Sequence, residues 1–422
     1  MQNNAWQYVR GENYCSKVTD GTHDTPEQVE RGKYLITSKH IKGDEIDFDS
    51  AYFITEEDFN EINKRSKVDQ WDVIISMIGA YCGFCFIESN SDIDYAIKNV
   101  GLFKTGNEIN AKWLYYYLNS SVGKAHLDAA KSGSTQPYIA LGALRELPIL
   151  TPKDEITKKK IVNVLDSIDK KIRNNNRINA ELEAMAKTLY DYWFVQFDFP
   201  DATGKPYKSS GGKMVYNTTL KREIPVGWND GTLDDLGQIV GGSTPSTKKE
   251  SNFTASGTPW ITPNDLSDNQ GYKFITRGAQ DVSDSGIKDA SLKKYPAGTV
   301  LLSSRAPIGY MAIAREELTT NQGFKSFIPT NDYSSAFIYY TLKNSLKTIV
   351  QHASGSTFKE VSGAVLKTVK ICLPASGVVE QFTNAVAPTF KRQDLLEQEN
   401  QHLTQLRDWL LPMLMNGQVT VA

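Results

Sequence analysis

The same order of apolar residues and glycines runs through this chain twice, at a spacing of about 222 residues. Trp6 in AWQYV matches Trp228 in GWNDG, and Tyr34-Leu-Ile-Thr37 matches Pro259-Trp-Ile-Thr262. The run WDVIISMIGAYCGF (71–84) matches GTVLLSSRAPIGY (298–310), with one extra residue in the first copy. Asn99-Val-Gly101 matches Asn321-Gln-Gly323, WLYYYLNS (113–120) matches FIYYTLKNS (337–345), and KSGSTQ (131–136) matches ASGSTF (353–358). From there Leu144, Leu147, Ile149 and Pro152 fall on Leu366, Val369, Ile371 and Pro374 without a gap. The positions between the matches differ freely. One scaffold is therefore expected twice, carrying two different surfaces.

Each copy mixes short β-rich runs (VIISM, FCFI, VLLSS, YMAIA), bounded by Gly, Pro and Asn, with a helical segment near 110–130 or 333–351. The expected fold class is α+β, with two domains in tandem, each on a twisted sheet and each followed by a long helix. In the first helix Ile161, Leu165, Ile168, Ile172, Asn175, Asn179, Leu182, Ala186, Leu189 and Trp193 alternate four and three apart, a sustained heptad seam. In the second the matching positions are Phe382, Val386, Thr389, Gln393, Leu396, Asn400, Leu403, Arg407, Leu410 and Leu414. This seam is poorer in apolar residues, and its register can drift through Leu406. Asn179 and Asn400 stand mid-seam, where a buried Asn costs stability and can set register. Two such helices most simply pair with each other; the alternative is that each packs on its own domain. The expected boundaries are 1–152 (first domain), 153–197 (central helix), 198–227 (a Gly-, Ser-, Pro- and Lys-rich linker), 228–375 (second domain) and 376–422 (C-terminal helix).

At 422 residues, with 40% hydrophobic and 23% charged residues, the chain reads as soluble and too long for one core. Apolar runs such as Val73–Ile75 are too short to span a bilayer, and MQNNAWQYVR lacks the apolar stretch of a signal peptide, so a cytoplasmic protein without a membrane partner is expected. Cys15, Cys82, Cys85 and Cys372 make no disulfide framework. Cys82 and Cys85 are spaced like a metal or redox pair. However, Cys85 aligns with Met311, Cys82 falls in the one-residue insertion, and no partner pair has zinc spacing, so buried apolar cysteines are expected. GGSTPSTKK (241–249) lacks the GK[ST] ending of a nucleotide-binding loop. No Asn-Pro-Pro-aromatic motif, Gly-rich methyl-donor loop, helicase or nuclease motif, or Ser/His/Asp set is visible. These readings imply no cofactor, no metal and no catalysis; the competing reading is an enzyme whose active site leaves no motif. The net charge is −2, with about −6 over residues 1–150 and about +3 over 214–375. A nucleic-acid binder with this balance needs local basic patches or a basic partner.

EIPVGW before the second copy, GGSTPS (241–246), PWITPNDL (259–266), GTVLLSSRAPIG (298–309), NQGFKSF (321–327), SGST in both copies, and NRINAELEAMAKTLYDYWF (176–194) followed by GKPYKSSGG together resemble the specificity subunits of type I restriction–modification systems, over essentially the whole chain. That resemblance implies two target recognition domains held apart by two helices paired as an antiparallel coiled coil. It also implies double-stranded DNA as ligand, and two adenine-methyltransferase (modification) subunits and restriction (motor) subunits as partners. The first copy is the less typical, with DGTHDTP at 20–26 and Met77-Ile-Gly79 where the second has GGSTP and Ser304-Arg305-Ala306.

Candidate DNA contacts follow from chemistry. Ser303, Ser304 and Arg305 end an apolar strand, and Ser304 and Arg305 are candidate contacts: Arg305 can fork onto a guanine edge or clamp a phosphate, or it can be a structural loop arginine, and its counterpart is Ile78. Ser243, Thr244, Lys248, Lys249 and Lys325 in the second copy, and His23, Lys39, His40 and Lys42 in the first, suit phosphate contact or simply make polar turns. Ser134, Thr135 and Gln136, and Ser356, Thr357 and Lys359, lie in hydroxyl-rich loops that can clamp a backbone or serve as turns the fold needs.

Overall fold

The computed structural model describes residues 5–43, 45–330, 332–353 and 359–421. They form two units, Met1–Arg173 with His402–Ala422, and Asn174–Gln401.

In the first unit, strand Trp6–Arg10 pairs antiparallel with Pro148–Pro152 and brings the ends of the domain together. The main sheet has the order Lys17–Asp20, Val100–Lys104, Asp72–Ser76, Cys85–Ile87. A second sheet sets Lys33–Thr37 between Tyr52–Ile54 and, in parallel, Tyr95–Lys98. The central strand explains its own sequence. Side chains alternate across a sheet: Val73 and Ile75 enter a core with Trp113, Tyr117 and Leu144, while Ile74 enters another with Ile36, Ile97 and Leu102. Both faces are covered, so the run is continuously apolar. The second unit repeats the device, with Val300 and Leu302 in one core and Leu301 in another.

The repeat extends to register. Gln7 faces Thr151, and Asn229 faces Leu373, so both partners shift by the same 222 positions. The second main sheet runs Gly237–Gly241, Lys325–Pro329, Val300–Ser304, Ile308–Ala314 and a fifth strand, Phe274–Ile275. The expected helical segments are present, as Glu108–Asn119 and Ser121–Ala130 in the first copy and Ser335–Gln351 in the second. Asn107, Ser120 and Ser334 cap them through side-chain oxygens that accept a backbone N–H of the first turn.

The two long helices are Glu155–Tyr190, continued by a π-helical turn over Asp191–Val195, and Ser376–Met415. Their contacts can be followed inside each unit. In the first, Ile161 and Leu165 share a core with Leu411, Leu414 and Met415, and Arg407 Nη1 lies 3.0 Å from Asp169 Oδ1. In the second, Asn175 meets Asn400, Asn179 meets Glu397, and Tyr190 meets Phe382. Rising numbers on one helix meet falling numbers on the other, so within each unit the helices run antiparallel. Leu406 is exposed, while Leu403 and Leu410 are half-buried and Leu414 is buried, so the seam does not drift through Leu406.

The stretch 198–227, read as a linker, is folded. Phe199 stacks on Tyr207 at 4.7 Å and on Trp228 at 5.1 Å, and Ile224 joins the same core from a hairpin of Met214–Asn217 with Arg222–Pro225. Burial of Phe199 and Ile224, with Tyr207 half-buried beside them, outweighs a composition rich in Gly, Ser and Lys. Cys82 and Cys85 are buried thiols; Asn119 Nδ2 donates to Cys85 Sγ at 3.2 Å, and burial pushes that thiol up to about 12. Among the described residues, no helix is long and apolar enough to cross a membrane.

Candidate nucleic-acid interface

In the second domain, strands Gly237–Gly241, Thr258–Ile261, Val300–Ser304 and Thr319–Thr320 all release their loops at one end of the sheets. There the chain is knitted by backbone bonds. Ser304 N donates to Gly323 O at 2.7 Å, Val361 N donates to Ser304 O at 3.0 Å, and Arg305 bridges Glu360. The GGSTP loop docks on the same place, with Ser243 N donating to Thr320 O at 3.0 Å. A Cβ at Gly242 would sit 2.1 Å from Thr320 O, so only glycine fits. Thr244 and Gln322 are joined by a side-chain hydrogen bond. Thr262, Pro263, Asn264, Arg305, Asn321 and Glu360 line the resulting open groove.

Lys325 is half-buried beside it, with its Nζ 3.9 Å from Glu360 Oε1. Burial, aided by the Arg305 charge and opposed by Glu360, holds its ammonium below the usual lysine range. Lys249 pairs with Asp289 at 2.6 Å, and Lys248 and Lys359 are exposed. Ser303 and Ser304 are fully buried. Ser303 Oγ donates to Pro307 O at 2.7 Å and accepts from Tyr310 N at 2.9 Å, so it shapes the turn that presents Arg305. Ser304 does not offer its hydroxyl to solvent and is no surface contact. Ser356 and Thr357 lie outside the described residues.

The first domain repeats these backbone bonds with other side chains. Ile78 bridges Tyr138, and Ile139 N donates to Met77 O at 2.8 Å, the equivalents of the Arg305–Glu360 bridge and the Val361–Ser304 bond. Tyr138 and Glu360 are again 222 apart, so Ile78 occupies the place of Arg305. Thr37 and Thr262 each open a helical turn with a reciprocal cap, closed by His40 in the first copy and Asp265 in the second. This disposes of His40 as a DNA contact. It is fully buried, its Nδ1 accepts from Thr37 N at 3.0 Å, and burial, with the Lys39 charge, pushes its imidazole down.

Lys39, counted from the cap, falls where the second copy has Asn264, and it is exposed. Lys42 is exposed and sits over the Tyr81 ring at 4.4 Å. His23 lies with Nδ1 3.0 Å from Asn99 Oδ1 and Nε2 3.1 Å from Asp20 Oδ2, and Arg65 also pairs with Asp20. Ser134, Thr135 and Gln136 are exposed next to Tyr138. Hydrogen bonds bring His23 and Ser38 together on Asn99, while Lys42 and the Ser134–Gln136 loop gather at the turn holding Ile78 and Tyr81.

Sequence reasoning aimed at basic and hydroxyl side chains passed over Asn264, Asn321 and Glu360. The repeat held a signal for one of them, because Asn99 and Asn321 match. Glu360 is invisible to a search for cations.

A model of the type I restriction modification DNA specificity domain matches residues 27–184 and again 225–405. The specificity subunit of type I restriction enzyme HindI from Haemophilus influenzae is 26% identical over 409 residues, 84% of this chain and 88% of that protein. The MjaIX specificity subunit of Methanocaldococcus jannaschii is 40% identical over 200 residues, which is 44% of this chain and 45% of that protein. The chain thus spans less than half the length of this second relative. The crystal structure of a type I restriction–modification S subunit from M. genitalium superposes with a TM-score of 0.60 at 16% identity, covering 98% of this chain and 97% of that one, and so shares the fold. With the domain model matched twice, over most of the chain and on both copies of the repeat, the chain belongs to the type I restriction–modification DNA specificity family.

Proposed function

We propose that this chain is a non-catalytic, sequence-specific DNA-binding subunit. It reads an asymmetric, bipartite target on double-stranded DNA and assembles two adenine-methyltransferase subunits and the restriction subunits there, in the cytoplasm. The observation that carries the reading is one set of backbone bonds built twice and faced with different side chains: Ile78 against Arg305, Tyr138 against Glu360, Lys39 against Asn264. Phosphate contacts position a protein on DNA, and side chains at base edges specify sequence. Two different faces on one scaffold therefore suit two different half-sites. The paired helices serve as an antiparallel coiled-coil spacer that holds the readers a fixed distance apart. The methyl donor and ATP belong to the partner subunits.

The test is methylation profiling of cells expressing the chain with its methyltransferase. Arg305→Ala is expected to relax base choice in one half-site only, at a cost of about 1–3 kcal/mol for a lost bidentate base contact. An equal loss at every sequence would mark Arg305 as a phosphate clamp.

A further inference from the structure

We propose that the second domain reads a G·C base pair, with Arg305 on the guanine and Glu360 on the cytosine amino group; this rests on the DNA-reading function above. A carboxylate on a DNA-facing surface is repelled by the phosphates, so Glu360 needs a donor to bond. Its side chain remains 43% exposed. Lys325 Nζ, at 3.9 Å, partly balances its charge but stands beyond hydrogen-bond range and leaves its acceptors free. An ionised carboxylate only accepts. The donors on the major-groove edges are cytosine N4 and adenine N6.

Arg305 decides between them. Its guanidinium offers only donors and needs two adjacent acceptors, which guanine supplies as O6 and N7. The next group across that pair is cytosine N4. Arg305 and Glu360 are held side by side by a backbone bridge, with Val361 N on Ser304 O at 3.0 Å. A donor fork and an acceptor thus face the groove together, in the order a G·C edge presents. The first domain has Ile78 and Tyr138 at these places and offers neither a guanidinium nor a carboxylate.

The experiment uses the full chain with its methyltransferase partner. The motif is read from methylated DNA, and binding is measured by competition with duplexes substituted at single base pairs, at one salt concentration. The half-site altered by Arg305→Ala should contain a G·C pair. Glu360→Ala should cut discrimination at that pair by about 5- to 150-fold. Glu360→Gln should admit T·A there, with adenine in the cytosine's place, because an amide can pair with adenine N6 and N7. Unchanged choice in the other half-site shows in the same data that each variant is folded. A half-site without G·C, or Glu360 variants with wild-type base choice, overturns the assignment alone. A wild-type complex with no sequence preference overturns the DNA-reading function as well.

Discussion

Asn400 is buried between the helices and uses both ends of its amide. Its Oδ1 accepts from Asn175 Nδ2 at 2.9 Å, and its Nδ2 donates to Asn176 Oδ1 at 2.6 Å. Asn179, its counterpart in the repeat, instead donates to Glu397 at 3.4 Å. The two seam asparagines therefore answer to different partners, because an antiparallel pair brings together residues whose numbers sum to a constant rather than residues matched by the repeat. Asn400→Ala should destabilise the chain by about 1–3 kcal/mol, the cost of leaving buried amide partners unsatisfied. Asn175→Leu with Asn400→Leu should cost less than the sum of the single changes. Urea unfolding of the four proteins in the double-mutant cycle measures this; strict additivity would mean the pair does not act as a unit.

At the scale of elements, the fifth strand of the second sheet is bonded to the long helices through charged groups taken out of water. Lys273, at its start, is 3% exposed; it pairs with Glu183 at 2.6 Å and donates to Tyr340 Oη at 2.9 Å and Gln393 Oε1 at 2.7 Å. Glu397 is fully buried and accepts from Lys273 N at 2.7 Å, Phe274 N at 3.0 Å and Arg315 Nη2 at 2.9 Å. Burial lowers the Lys273 ammonium to about 8 against the pull of Glu183, and burial raises the Glu397 carboxyl above its usual range. Burial also pushes Glu183 up, but Lys273 and Lys343 pull it below its ordinary value.

The sign for Lys273 is definite. Between pH 8 and the ordinary lysine value near 10.5 the unfolded chain binds more protons at this site, so its contribution to stability rises with pH across that window. Lys273→Met should remove that rise, read from urea midpoints at pH 8 and pH 10; an unchanged slope would place the titration elsewhere. Glu397 acts in the opposite sense, because a raised carboxyl loses stability as pH climbs through its folded value. A second prediction concerns the helices as a spacer. Seven residues inserted after Ile172 and seven after Leu403, positions that face each other in the antiparallel register, keep the heptad phase and add about 10 Å. Since DNA rises about 3.4 Å per base pair, the unread gap in the methylated motif should grow by a few base pairs, with both half-sites unchanged. An active variant with the original gap would show that the helices do not set the spacing. Two residues inserted at one of these places turn the seam by about 200° and should cost folding instead.

For the whole molecule, the net charge of −2 and the acidic first domain limit what the chain can do alone. Binding to DNA depends on neutralising phosphates and releasing counterions. The free chain should therefore bind DNA weakly, and specific affinity should appear when the modification subunits add their own surface. Titrations at matched salt, with and without those subunits, decide it; tight specific binding by the chain alone would contradict it.

The sequence by itself determined the two-copy architecture, the central strands, the helix positions and the heptad seam. Each is a periodic pattern of burial along the chain, and periodicity is local. VIISM and VLLSS read as strands wherever they pack, and Ile161 with Leu165 on one helix and Leu410 with Leu414 on the other read as two apolar seams. Tertiary structure alone decided which polar groups face inward. His40 looked like a phosphate ligand and closes a cap, the role Asp265 plays in the other copy. Ser304 reads as a DNA contact by its type and is fully buried, with its backbone oxygen bonded to Val361 N. A stretch with a linker's composition folded because Phe199 found Tyr207 and Trp228. Glu360 came to stand beside Arg305 across 55 residues of chain. In each case the partner is set by how distant segments register against each other, and no local pattern of residue types carries that information.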